Sequence, residues 1–250
     1  MHWTVPGCAI DAVRMVTVEK RPAVRAGRPP RRTSVQLKYV MAVTGAVMLL
    51  YLVAHMVGNL KIFLGAEAID TYAAWLRTVG EPALPSEAVL WIVRVVLLVS
   101  VVAHIVSATI LARRARRARP VRYAHRQPVH TGYAARTMRW GGVIIALFVV
   151  YHLLDLTTGH LNPHGVHGEV HANVVADFAP DRWYVTLAYT LAVVAVGFHI
   201  RHGVWSALQS FGRSSAATQK TLQGVALGVA IVLVVGFLSV PFAVLTGLVA

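Results

Sequence analysis

The chain has 250 residues, 56% of them hydrophobic and only 14% charged, with a formal net charge of +14. A water-soluble domain of this size usually carries about a quarter charged residues, so the composition argues against an ordinary soluble enzyme and places the chain in the membrane class. A lone cysteine, Cys8, leaves no internal disulfide and no CxxC metal site.

The N-terminal stretch is basic, contains Pro and Gly, and lacks the apolar core of a signal peptide. Residues 1–36 are expected to form a basic cytoplasmic tail, followed by a transmembrane domain over 37–250. Five apolar runs then reach the roughly 20 residues needed to cross a bilayer. They cover about Lys38–Leu64, Ala88–Ala112, Met138–Thr158, Trp183–Leu208 and Leu222–Val249. Each must be helical, because backbone polar groups in lipid have no water to bond. The expected fold is all-α, an integral membrane bundle of five transmembrane helices.

A basic chain invites a nucleic-acid reading, but the placement of the charges opposes it. Arg21, Arg25, Arg28, Arg31 and Arg32 crowd the tail, and the second inter-helix loop reads "RRARRARPVRYAHRQPVHTGYAARTMR". Arg213 and Lys220 add to the same side, whereas Glu67, Asp70, Glu81, Glu87, Glu169, Asp177 and Asp181 fall on the other. This positive-inside asymmetry gives a cytoplasmic N-terminus and an outside C-terminus in a plasma (inner) membrane. The basic loop then orients the chain and meets anionic lipid, or docks a soluble partner.

Ionisable residues deep in a membrane are costly and mark functional sites. The first four helices carry one histidine each near mid-membrane: His55, His104, His152 and His199. At about 1.5 Å per residue, His104 and His199 lie roughly 12 Å from the inner ends of their helices. His55 and His152 lie about 18–22 Å from theirs. The four therefore form an inner and an outer pair, and neutral imidazoles on facing helices can hold haem iron axially. Two levels imply two haems, and Gly45, Gly58, Ser107, Ala108, Gly141, Gly142 and Gly197 offer room for a flat macrocycle. His202, one turn beyond His199, is a neighbour of the ligand, a propionate partner or part of a quinone site. Asp155, three residues after His152, orients an imidazole, passes protons or reaches surface water. His160, His164, His167 and His171 sit irregularly in a polar loop, where a zinc site is conceivable.

Several stretches carry a family resemblance: "AHMVGNLKIFLGAEAIDTYAAWLR", "LWIVRVVLLVSVVAHIVSATIL", "TMRWGGVIIALFVVYHLLDLTTGHLNP", "EVHANVVADF" and "GFHIRHGVWSALQSFG". Together they resemble the cytochrome b membrane-anchor subunit of succinate dehydrogenase, respiratory complex II, of the single-subunit five-helix type shared with some fumarate reductases. The likeness spans about Val35 to Arg213, with "HMVGNL" and "HGVWSALQS" its most specific motifs. It implies two b haems on His55, His104, His152 and His199, the same four that depth selects. It also implies an iron–sulfur subunit as partner, a flavoprotein beyond it, and quinone, menaquinone in the first instance, as electron acceptor. The quinone site is open: Arg201, His202, Trp205 and Ser206 are candidates near the inner surface, and Glu67, Asp155 and His160 near the outer. Trp205 could equally anchor the helix at the interface, with Ser206 and Gln209 capping its end.

Histidines alone show that iron can be bound, and a Rieske-like [2Fe–2S] centre is the alternative to haem. Such a centre needs sulfur ligands from a partner, because Cys8 is the only cysteine. The expected function is thus the quinone-reactive anchor of a succinate:quinone oxidoreductase with no succinate-oxidising site of its own. A fumarate reductase anchor, a histidine-containing proton channel or transporter, and a scaffold without cofactor are the rivals. The absence of an internal repeat counts against a transporter.

Overall fold

The computed structural model describes residues 33–118, 131–210 and 216–250, with side chains over 33–118, 138–209 and 218–250. The basic tail through Arg32, Cys8, the central part of the arginine-rich loop and Arg213 lie outside the described residues.

Among the described residues the architecture is all-α. Seven helices follow in order: α1 (Ser34–Asn59), α2 (Ala66–Thr78), α3 (Ala88–Arg117), α4 (Thr131–His152), α5 (Val170–Asp177), α6 (Trp183–Ser210) and α7 (Ala216–Leu245). Five of them, α1, α3, α4, α6 and α7, are long and apolar enough to span a membrane. Their outward faces carry exposed large apolar side chains such as Leu50, Leu98, Leu147, Leu191 and Val235. In water such surface is a liability; in lipid it is the matching surface, and the chain is a multi-pass membrane protein.

α1 starts at a reciprocal cap: Gln36 N–H donates to Thr33 Oγ1 at 3.2 Å, and Thr33 N–H to Gln36 Oε1 at 2.9 Å. It continues as a 3₁₀ turn over Leu60–Leu64 and stops at Gly65, whose φ of 103° a side chain would disfavour. The last helix ends at Leu245, earlier than the apolar run predicts. There Gly247, at φ 74°, lets Leu248 N–H turn back to Ala243 O at 2.8 Å.

Two short helices, α2 and α5, fall outside the spans and are absent from the expectations above, because neither is long or apolar enough to register in a membrane-length window. They pack on each other at one end of the bundle. Asp70 Oδ1 ties them by accepting the His171 backbone N–H at 3.0 Å.

Within the bundle, α1 lies along α3, while α6 lies along both α4 and α7. The α6–α7 seam is tight at Gly197, where an added Cβ would stand 2.5 Å from Val234 Cγ2. Val234 is β-branched and stiff at χ1, so it has little freedom to yield. Gly197→Leu should therefore destabilise the bundle by about 1–3 kcal/mol, read as a lowered thermal midpoint in detergent, with Ala costing less than Leu.

Candidate functional site

The histidines meet as two pairs. His55 of α1 faces His152 of α4, with ring centroids 5.9 Å apart and planes at 81°. His104 of α3 faces His199 of α6 at 6.2 Å and 55°. The helices that carry each pair, α1 with α4 and α3 with α6, make little close backbone contact among the described residues, so the imidazoles project into the gap between them. Two imidazoles bound to opposite sides of one ion at about 2 Å per bond hold their centroids roughly 6 Å apart.

The hydrogen bonds around the rings select a tautomer in each pair. His104 Nδ1 stands 3.1 Å from Met41 O, a group that can only accept. It also lies 3.2 Å from Thr44 Oγ1, whose own proton is donated to Val40 O at 2.7 Å. Nδ1 therefore carries the hydrogen, and Nε2 keeps its lone pair. On the other pair, the Tyr189 hydroxyl donates to Asp155 Oδ2 at 2.8 Å. Its oxygen is then the acceptor for His152 Nδ1–H at 3.3 Å. A hydrogen-bonded Nδ1–H fixes ring orientation and raises the basicity of the opposite nitrogen, as is usual for metal-bound histidine.

The partner rings are held by packing. His55 is stacked by Tyr51, with centroids 5.4 Å apart and planes 13° apart, and flanked by Phe237 at 5.8 Å. His199 Nδ1 is buried with no hydrogen-bond partner among the described residues. Gly45 stands against His104, where a Cβ would come 3.4 Å from Cε1, and Gly142 stands 3.9 Å from His199 Cε1 in the same sense. These two glycines keep space beside the His104–His199 pair. Gly58 and Gly197 behave otherwise. A Cβ at Gly58 would lie 2.8 Å from Tyr72 Cε1, and Gly197 receives Val234, so both serve close packing and leave no room for a macrocycle.

Asp155 is fully buried, which rules out the reading that it reaches surface water. A π turn over Leu153–Thr157 ends α4 and carries it inward; such turns frequently mark functional sites. It acts on His152 through Tyr189. Asp177, Arg182 and Tyr189 complete this network and escape sequence reasoning, since nothing in their spacing announces it. Arg94 could have been found, as a charge within a predicted span; its guanidinium lies over the Trp91 ring, 4.8 Å from the centroid.

The quinone candidates separate into two places. At the end away from α2 and α5, His202 packs edge-on against Trp205 at 5.8 Å, and Arg201 is exposed. Trp205 Nε1–H donates to Gln219 Oε1 at 2.8 Å, and Gln209 donates to the same oxygen at 3.0 Å, which ties α6 to α7. Ser206 lies one residue beyond, half-buried. At the α2 end, Glu67 lines an open hollow of about 770 Å³ with Lys61, Leu64, Thr71, Tyr72 and Trp75. His160 stays outside it, its Nδ1 2.8 Å from Thr158 Oγ1.

The polar histidine loop is organised by asparagines. Asn162 Oδ1 accepts from His164 and Gly165 N–H, and Asn173 Oδ1 accepts from Val166 N–H. His164 pairs with Glu169 at 2.7 Å and His167 lies 3.3 Å from Arg77. No group of three metal-ligating side chains forms among the described residues, so the conceivable zinc site is not assembled there.

Comparison with protein-family models, with characterised proteins and with solved structures finds no match to this chain.

Proposed function

We propose that this chain is the membrane-anchor and quinone-reactive subunit of a succinate:quinone oxidoreductase. In it His104 with His199, and His55 with His152, each hold one iron, as b haem in the first instance. The observation that carries the reading is the pairing of four intramembrane imidazoles at 5.9 and 6.2 Å, with one ring of each pair fixed through its Nδ1–H. The sequence resemblance supplies the enzyme class, and the charge asymmetry supplies a cytoplasmic N-terminus in the plasma membrane.

Bound haem would supply reversible one-electron storage. The protein's part is to hold imidazole lone pairs in place and to keep water out. Met41 O and Thr44 set the His104 ring, Tyr189 sets His152, and Tyr51 with Phe237 wall off His55. The His104–His199 pair lies nearer the basic end, where an iron–sulfur subunit would dock and deliver electrons. Quinone needs donors for its carbonyls and an apolar wall. The His202–Trp205 region on one side and the Glu67 hollow on the other meet that need. A fumarate reductase anchor would use the same parts in the opposite direction.

A second reading has one observation in its favour. Arg182, Asp177, Asp155, Tyr189 and His152 form a continuous polar chain into the bundle, as a proton channel would require.

The reduced-minus-oxidised optical spectrum of the purified complex, with haem, iron and acid-labile sulfide assayed on the same sample, separates the readings. About two haems per chain with sharp b-type bands is the expected result. Iron and sulfide beyond the soluble subunit's clusters, without haem, would reassign the same histidines to a Rieske-like centre. A colourless anchor would overturn the redox role and leave the channel or scaffold.

A further inference from the structure

Asp155 and Asp177 are both 0% exposed. They come from separate elements, the π turn after α4 and the last residue of α5, yet these two elements pack on each other and the two carboxyl groups interact there. Each has one oxygen on an outside donor, and the Tyr151 hydroxyl also stands within reach of Asp155. Asp155 Oδ2 accepts from Tyr189 at 2.8 Å, and Asp177 Oδ1 accepts from Arg182 Nη2 at 2.9 Å. The remaining oxygens, Asp155 Oδ1 and Asp177 Oδ2, are buried with no partner among the described residues. Two facing carboxylates cannot satisfy one another, because an ionised carboxylate only accepts.

We propose that Asp155 and Asp177 form a buried proton-binding site that holds one shared proton in mildly acidic solution, where ordinary carboxylates are ionised, and exchanges it with water at the α2/α5 end of the bundle. Charge balance leads to the same count. Two carboxylates against the single Arg182 guanidinium leave one uncompensated negative charge in an apolar setting, which is strongly unfavourable. One proton restores neutrality and gives both orphaned oxygens a hydrogen bond.

The surroundings agree. Phe178, Val185 and Val244 pack around Tyr189 beside the pair. The titratable and charged groups facing it are Tyr151 of α4, Tyr189 of α6 and Arg182 of the 3₁₀ turn before α6. Burial first, then the hydrogen bond and charge of Asp155, push the Asp177 carboxyl up to about 7, and Arg182 opposes the shift. Arg182, its side chain 21% exposed, connects the pair to the surface. The proton comes from bulk water and returns there; only an O–H bond forms and breaks. The site does not depend on what the histidines hold.

Infrared spectroscopy of the full-length protein in lipid nanodiscs, titrated in H₂O and D₂O, tests the assignment. The wild type should show a protonated-carboxyl C=O band worth one group per chain. It should persist above about pH 5, where ordinary carboxylates are ionised, and fade around pH 7. It should also move in D₂O, since the proton exchanges. Asp155→Asn and Asp177→Asn should each abolish it, the amide donating to the remaining carboxylate. No band above about pH 5, a band that survives both substitutions, or one unmoved by D₂O would overturn the proposal. The wild-type titration decides the question even where a variant does not fold.

Discussion

On the proposed assignment, replacing His152 by alanine should remove one of two iron centres and leave the other intact. His55 would then face an empty position, because its partner across the α1–α4 gap is gone. The His104–His199 pair stands on α3 and α6, and its ring orientation is set by Met41 O and Thr44, none of which His152 touches. The haem content should fall to about half, with one b-type component lost from the redox titration. With quinone bound at the Glu67 side its reduction should fall at least about 100-fold, since even a residue that only orients a ligand contributes 10–100-fold; with quinone at the His202–Trp205 side the reduction should persist. His199→Ala should remove the complementary component, and His202→Ala should keep both. Tyr189→Phe provides a finer check: both centres stay, while the midpoint of the outer one shifts as the Nδ1–H contact of His152 is lost. Full retention of both centres in His152→Ala would rule out the pairing.

Much of this was legible in the sequence. The five spans follow from run length alone, because lipid forces each apolar run into a helix. The histidine pairing follows from helix rise, which converts residue number to depth. Side-chain contacts between distant elements were less accessible. Asp155 lies three residues from His152 and looks like an orienting carboxylate, but the π turn places its contact with Tyr189, which then reaches the imidazole. Asp177 looks like an ordinary outer acid until α5 folds it into the interior beside Asp155. Gly58 and Gly197 suggest room for a cofactor, whereas only packing reveals that Tyr72 and Val234 fill it. Depth is a one-dimensional quantity written into the chain, and lateral neighbours are not.

Arg182→Ala should destabilise the protein in a strongly pH-dependent way. Its guanidinium makes two bonds to Asp177, Nη2 to Oδ1 at 2.9 Å and Nε to the backbone O at 3.3 Å. Removing one partner of a buried ion pair costs about 3–5 kcal/mol, and the partial exposure of Arg182 brings the expectation to about 2–3 kcal/mol at pH 8. The sign of the pH dependence follows from the raised affinity of the acid. A carboxyl whose folded pKa exceeds its unfolded value stabilises the fold fully below about pH 4. That contribution is lost as pH rises through about 7. Without Arg182 the shared proton alone leaves one buried negative charge, so the variant must bind a second proton, and its deficit should narrow only as pH falls toward about 4. Arg182→Lys should recover only part of the loss at pH 8, because an ammonium keeps the charge but not the two-pronged geometry. Thermal midpoints of the three proteins in one detergent across pH 4–9 make the comparison. A pH-independent loss in Arg182→Ala would mean that the guanidinium acts by packing, and that Asp177 does not ionise in the folded state.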